Sequence, residues 1–388
     1  MPNKICFVVT DAVSFNSLYR GQLEFLSSQG FNLTLICGGS RDEVNKLENR
    51  QAGKVIHINM ARNPSPIIDF ICLVRLWWHF LLNRYDLTIV STPKAILLGS
   101  LASFLTMQKK RVAFFQGRVY ENYTGLKRMV FTFFDYLAIC LTHESLFVSP
   151  SLKNEFTKDI NLALRKGAVV GNGSGNGIDT IRFSPAKTPI SSVDNVRNKL
   201  GIAEDDFVVI SIGRICKDKG MIEILKIAAA LDDHIPKIRF IMLGRVEDQA
   251  FYSLFGPLLN KKTIQHVDVV DDIRPYVAVS QLHLFLTHRE GFGNVAIEAA
   301  AMGIPTLAYD VVGVRDSVAE GISGLKVPLK DTAAVIEKLS YFAHNSCELK
   351  KKYSNARAWA KANYSQQEVW KNYMNYYLKQ INKTHADI

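Results

Sequence analysis

Leu284-Phe285-Leu286-Thr287-His288-Arg289-Glu290-Gly291-Phe292-Gly293-Asn294-Val295-Ala296-Ile297-Glu298 reads as a short apolar strand, a tight Gly-Phe-Gly turn and the start of a helix that Gly303 and Pro305 close. A strand running straight into a glycine turn and a helix is the repeating unit of a parallel sheet. Such a turn aims backbone N–H groups and a helix N-terminus at its occupant, which suits an anionic phosphate group. Glu290 and Glu298 flank it, and carboxylates accept hydrogen bonds from sugar hydroxyls. A phosphate cradle beside two hydroxyl acceptors fits a nucleotide-sugar. The same layout is also ordinary α/β architecture, so the turn by itself leaves a plain loop open.

On either side, short β-branched and aromatic runs alternate with longer helical patterns, the signature of parallel sheets covered by helices. In the first half, strands are predicted at 4–10, 31–37, 87–91, 111–115, 146–148 and 168–170, with a helix over 17–29 stopped by Gly30. In the second half they fall at 207–213, 239–244, 265–270, 282–287 and 306–310. The run 171–177, Gly-Asn-Gly-Ser-Gly-Asn-Gly, is too rich in glycine to continue either element and marks a domain boundary or a functional loop. A last helix over 366–381 carries Val369, Trp370, Tyr373, Met374, Tyr377, Leu378 and Ile381 on one face, which must dock on something.

Ligands of doubly wound sheets bind outside the carboxyl ends of the strands. The Glu290 turn lies at one such end. At another, Gly213-Arg214-Ile215-Cys216-Lys217-Asp218-Lys219-Gly220 follows a strand. Arg214, as a planar fork, and Lys219, as a point charge, suit a diphosphate, although isolated cations are more often plain surface residues.

The chain has 388 residues, 48% hydrophobic and 21% charged, the length of two ordinary domains and the composition of a soluble globular protein. Cys6, Cys37, Cys72, Cys140, Cys216 and Cys347 form no Cys-x-x-Cys pair, and four lie in apolar runs. Buried, reduced thiols in a cytosolic protein are expected. The histidines are dispersed and no Asp-x-Asp occurs, so no tightly held metal or other cofactor is expected. No signal peptide is expected, because the apolar stretch 5–10 is short and runs into Asp11. The stretches 70–82, 95–107 and 129–141 fall short of the roughly 20 apolar residues a spanning helix needs.

Net charge is +11, and the first 180 residues hold 20 Lys/Arg against 13 Asp/Glu. Lys109-Lys110-Arg111, Lys127-Arg128 and Arg165-Lys166, with Trp77, Trp78 and many Phe nearby, suit an anionic membrane surface or a solvated basic face over an aromatic core. No nucleic-acid-binding motif appears, and nucleic acid is not an expected partner.

Gly-Arg-x-x-x-x-Lys-Gly at 213–220, Glu-Gly-Phe-Gly-Asn-x-x-x-Glu-Ala at 290–299, Gly-Ile-Pro-Thr at 303–306 and the series Gly313, Asp316, Gly321, Gly324-Leu325 and Pro328 together resemble glycosyltransferase family 4. Ser91-Thr92-Pro93-Lys94-Ala95 and Gly173-Ser174-Gly175-Asn176-Gly177-Ile178-Asp179 resemble bacterial members that build cell-surface polysaccharides on lipid carriers. The resemblance implies an α/β GT-B fold, two doubly wound Rossmann-like domains facing a central cleft. It implies an acceptor-side domain at 1–180, a donor-binding domain at 181–365 and a C-terminal helix, 366–388, crossing back to the first domain.

The implied activity is retaining transfer of a sugar from a nucleotide-sugar, by family habit a UDP-sugar, to a lipid-linked or glycolipid acceptor. Its setting would be O-antigen, capsule or exopolysaccharide synthesis, in a cytoplasmic protein peripheral on the inner face of the cytoplasmic membrane. By the same resemblance, Arg214 and Lys219 hold the donor diphosphate and stabilise the leaving nucleotide. Glu290 contacts the donor sugar beside its reacting carbon, and Glu298 bonds the ribose hydroxyls. Gly213, Gly291, Phe292, Gly293, Asn294 and Val295 complete the donor site, and no metal is implied.

On the acceptor side, Ser14 lies in Thr10–Asn16, where many relatives have a Gly-Gly turn, and Gln116 stands where many have His. Gln cannot act as a base, which leaves Arg118 or Glu121 to help, or no side chain at all. Two rival readings share the fold or the site. A nucleotide-sugar 2-epimerase would need added acid/base residues that the sequence does not reveal. A catalytically silent nucleotide-sugar-binding protein has Gln116 as its one feature in favour.

Overall fold

The computed structural model describes residues 2–382 apart from 62, 233, 236, 248–252, 254–259 and 262. The chain divides into two compact units. One runs to Gly177 and takes in the C-terminal helix Gln366–Asn382; the other is Ile178–Ser365.

The first unit is built on β1 (Lys4–Asp11), β2 (Asn32–Gly38), β3 (Lys54–His57), β4 (Leu87–Ser91), β5 (Arg111–Phe115), β6 (Glu144–Phe147) and β7 (Gly167–Val169), ordered β3-β2-β1-β4-β5-β6-β7. All pairings are parallel. Its central strands are buried along nearly their whole length, as helices on both faces require. The strand order reverses between β1 and β4, which makes their carboxyl ends a topological switch point. β3, Lys-Val-Ile-His at the sheet edge, is short and half-buried, and the periodicity reading passes over it.

The single helix expected over 17–29 is two, Ala12–Leu18 and Gln22–Ser28. It starts early because the Asp11 carboxylate accepts from the Val13 N–H at 2.9 Å and caps the first helix. It breaks because Gly21 sits at φ +80°, with the Trp370 ring 2.5 Å from where a Cβ would be.

That tryptophan belongs to the C-terminal helix, which buries Val369, Tyr373, Tyr377 and Ile381. Tyr377 packs edge-on against Phe7, and Tyr373 lies 5.9 Å from Phe114. The Gly-rich run folds under the same helix. Trp370 Nε1 donates to Asn176 Oδ1 at 2.7 Å, and Tyr373 Oη donates to the Ser174 carbonyl at 3.1 Å. The run is therefore the seat of this helix as well as the end of the first unit.

On the first sheet, helices Pro66–Leu82, Pro93–Leu105 and Gly125–Leu141 follow one another, the middle one packed on β1, β4 and β5. Among the described residues no helix is long and apolar enough to cross a membrane. Of the cysteines in apolar runs, Cys6, Cys37 and Cys72 are buried; Cys140 is only half-buried, as is Cys216, and Cys347 is exposed.

The second unit carries β8 (Phe207–Ile212), β9 (Ile238–Leu243), β10 (Asn260–Lys261), β11 (Ile264–Val267), β12 (Leu282–Phe285), β13 (Thr306–Tyr309) and β14 (Gly324–Val327), ordered β10-β11-β9-β8-β12-β13-β14. All pairs are parallel except β10 with β11. Here the order reverses between β8 and β12, so the loops leaving those strands are neighbours. They are the two loops that the sequence marks.

Candidate active site

After β8 the chain makes a short 3-10 turn, Lys217–Lys219, and Gly220 at φ +72° leads into helix Met221–Asp232. After β12 it makes the Glu290 turn. The two loops are joined by backbone and by charge. The His288 N–H donates to the Asp218 carbonyl at 2.8 Å. Arg289 holds the Asp218 carboxylate at 2.6 and 2.9 Å through Nη2 and Nε. Lys219 Nζ holds the Glu290 carboxylate, both side chains partly buried. Asp218-Lys219 thus meets Arg289-Glu290 as two side-by-side ion pairs. One residue earlier, His288 Nε2 lies 2.9 Å from Glu223 Oε1, and among the described residues Glu223 Oε2 accepts no hydrogen bond.

Close backbone approach explains the glycines. A Cβ on Gly220 would stand 2.0 Å from the Leu286 carbonyl oxygen. One on Gly313 would stand 2.7 Å from Gly291, which brings the loop after β13 onto the same turn. Gly244 faces Gly213 so closely that a Cβ would fall 1.9 Å from the Gly213 carbonyl oxygen. Beyond those glycines the two chains stay paired, Ile215 with Val246, and this carries Glu247 to Arg214, with which it forms an ion pair.

Phe292 is buried and packs edge-on against Tyr364, so its ring anchors the turn and does not face outward. Gly293 at φ +89° opens helix Asn294–Ala301, whose N-terminus has no side-chain cap. Val295 packs against the unit's core. Glu298 lies one helical turn beyond Asn294, and among the described residues no hydrogen bond or ion pair reaches its carboxyl. Burial, against a weaker pull from Arg182, pushes that carboxyl up to about 7, although part of the residue still meets solvent. Of the residues grouped for the donor, the fold gathers Lys219, Glu290 and Gly291 through Glu298, and sets Arg214 at the neighbouring strand end.

In the first unit, Gln116 Nε2 donates to Tyr19 Oη and to Ser91 Oγ, each at 3.0 Å, across the ends of β4 and β5. Arg118 is 5% exposed and its guanidinium clasps Glu121 at 2.6 and 3.1 Å and Asp159 at 2.7 Å. Arg118 and Glu121 therefore hold each other in a packed network. Ser14 sits half-buried on helix Ala12–Leu18. Among the described residues no cluster of His, Cys, Asp and Glu has the makings of a metal site.

The family model described as "Glycosyl transferases group 1" matches residues 192–359, most of the second unit. Over 373 residues the chain is 28% identical to the capsular polysaccharide biosynthesis glycosyltransferase CapM of Staphylococcus aureus, covering 95% of this chain and 94% of that one. The chain is a glycosyltransferase, and its residues 192–359 match the group 1 model. A putative glycosyltransferase of Bacillus subtilis, EpsD, is 26% identical over 171 residues, 44% of either chain. The GT-B fold is shared with Anabaena Alr3699/HepE, solved in complex with UDP and glucose, at a TM-score of 0.79, 16% identity and coverage of 97% and 100%. It is also shared with WaaG, a glycosyltransferase involved in lipopolysaccharide biosynthesis, at a TM-score of 0.73, 15% identity and coverage of 96% and 99%.

For this glycosyltransferase, sequence reasoning missed Asp218, Glu223, Glu247, His288 and Arg289 as partners of the site. One signal was available. Asp218-Lys219 and Arg289-Glu290 carry opposite charges in matching order, at the ends of two predicted strands.

Proposed function

We propose that this glycosyltransferase is a retaining enzyme that moves a sugar from a UDP-sugar to a lipid-linked or glycolipid acceptor. Its setting would be the inner face of the cytoplasmic membrane, in the assembly of a bacterial surface polysaccharide. The two ion pairs between the loops after β8 and β12 carry this reading, because they hold Lys219 and Glu290 together at the switch point of the second sheet. The UDP of the HepE complex supports the donor class; the names of CapM and WaaG support the polysaccharide setting.

In this scheme Arg214 and Lys219 release part of their hold on Glu247 and Glu290 to meet the donor diphosphate. The two cations take up the charge of the leaving nucleotide, so no resident metal is assigned. Glu290 is left facing the donor sugar, and Glu298 accepts from the ribose hydroxyls. The bond from the anomeric carbon to the phosphate oxygen breaks as the acceptor hydroxyl oxygen bonds to that carbon on the same face. The acceptor proton passes to the departing phosphate oxygen. The protein supplies position and charge, and Gln116, fixed by Tyr19 and Ser91, has no base to replace.

Thermal unfolding with UDP-, GDP-, dTDP- and ADP-sugars tests the donor site. Protection by the uridine class, lost in Arg214→Ala, is expected. No shift with any nucleotide, in the presence of vesicles and extracted lipid acceptor, would sink the reading.

Glu298 adds a pH signature. Its folded carboxyl titrates near 7, above the usual 4.5, so its contribution to stability is full below about 4.5 and is lost as pH rises through about 7. Glu298→Gln should therefore gain in melting temperature relative to wild type between pH 5 and pH 8. Because a carboxylate accepts from ribose more strongly than the acid, UDP affinity should rise over the same window in wild type and stay flat in the variant. A flat wild-type profile would remove Glu298 from the ribose site.

A further inference from the structure

Helix Pro66–Leu82 departs from the rule that a surface helix carries one apolar stripe. Cys72, Leu76 and Phe80 face inward and are buried. The outward face is apolar as well: Ile67, Ile71, Val74, Trp78 and Leu82 follow one another at helical spacing, with Trp78 55% and Leu82 65% exposed. Helix Gly125–Leu141 repeats the pattern with Leu126, Met129 and Phe133, all more than half exposed. Leu105 and Met107, at the end of helix Pro93–Leu105, are also exposed. A hollow of about 450 Å³ beside helix Gly125–Leu141 shares Met129 and Phe133 with this face. Apolar surface on this scale, left in water, marks something that covers it.

The charges narrow what that is. Most of the basic clusters expected to meet a membrane are used inside the protein. Lys110 is buried, and Arg111 donates to the carbonyls of Leu141 and Gln108 at 3.0 and 2.8 Å. Lys166 donates to the carbonyls of Ile139, Cys140 and Thr142, and Arg128 pairs with Asp159 at 2.7 Å. The carboxylates of the two apolar helices are tied as well, Asp69 by Lys94 and Asp135 by the Tyr120 hydroxyl, each at 2.7 Å. Exposed Arg75 and Lys127 remain on the two helices, and exposed Arg165 on the short helix Leu162–Lys166, with no exposed acid on either apolar helix. A second copy docked on this face would bring like charges together; lipid phosphates would pair with them.

We propose that this face inserts into one leaflet of a lipid bilayer. Both helices have 17 residues, about 25 Å, too short to span a hydrocarbon core of about 30 Å. They lie in the plane of the interface with their outer side chains among the acyl chains and Arg75 and Lys127 at headgroup level. The inference rests on the reading of a lipid-borne acceptor and makes the attachment chiefly apolar, with charge in a minor part.

Flotation of the full chain with phosphatidylcholine vesicles, with and without phosphatidylglycerol, tests it. Binding to the neutral vesicles is expected, changing less than about threefold between about 0.1 and about 1 M salt, where a charge-driven seat would be screened away. Lipids brominated on their acyl chains should quench the tryptophan fluorescence. Trp78→Asp combined with Phe133→Asp should lower partitioning about tenfold or more, while UDP still raises its melting temperature. Binding confined to anionic vesicles and lost in high salt would overturn the proposal. So would self-association of the wild type that the same double variant abolishes, without vesicle binding. A chain that floats but gains no protection from UDP would count against the donor reading alone.

Discussion

Replacing Lys219 by Ala is expected to lower turnover about a hundredfold to a thousandfold, the usual effect of removing one group that stabilises developing charge. The diphosphate becomes more negative as the sugar departs, so the loss should fall on kcat more than on donor affinity. Glu290→Gln should cost a similar factor. The two side chains are ion-paired, and the double variant should be little worse than either single one. Transfer of labelled sugar to extracted lipid acceptor measures this. A Lys219→Ala enzyme with wild-type kcat would separate Lys219 from the chemistry, and single effects that multiply in the double variant would show that the pair does not act as a unit.

The second large effect is structural. Gly220→Ala is expected to destabilise the second unit by about 3 kcal/mol or more, because two penalties act together. The backbone there is left-handed, which by itself costs an L side chain about 1–2 kcal/mol. The new methyl would also fall 2.0 Å from the Leu286 carbonyl oxygen, which is backbone and has little freedom to retreat. The loop after β8 would have to lift away from β12, parting Asp218 from Arg289 and Lys219 from Glu290. Urea unfolding followed by fluorescence, with donor protection measured alongside, reads both losses. A variant of normal stability that still binds UDP would show that the two loops need no such contact.

How much of this could be read in advance follows from the range of each interaction. Apart from the short edge strands β3, β10 and β14, the strands of both sheets and the turn at Glu290 are set by local pattern, alternating apolar runs broken by glycine, and these are visible in the chain. The pairing of Asp218 with Arg289 depends on β8 lying next to β12, a choice of neighbours that no local window contains. The break at Gly21 has the same origin, since the Trp370 that fills its place is far along the chain. Charge misled in a different way. Arg111 and Lys166 are basic in any reading, but their partners are backbone carbonyls, which sequence does not mark.

The C-terminal helix makes the first unit discontinuous in sequence. Residues 178–365 form a complete sheet of their own, and only after them comes the segment that covers Phe7 and Phe114. During synthesis the first unit emerges early but cannot close; its seat at Asn176 waits for Trp370 while the whole second unit is made. The half that begins first is finished last, and for that interval it depends on whatever shields its uncovered aromatic floor.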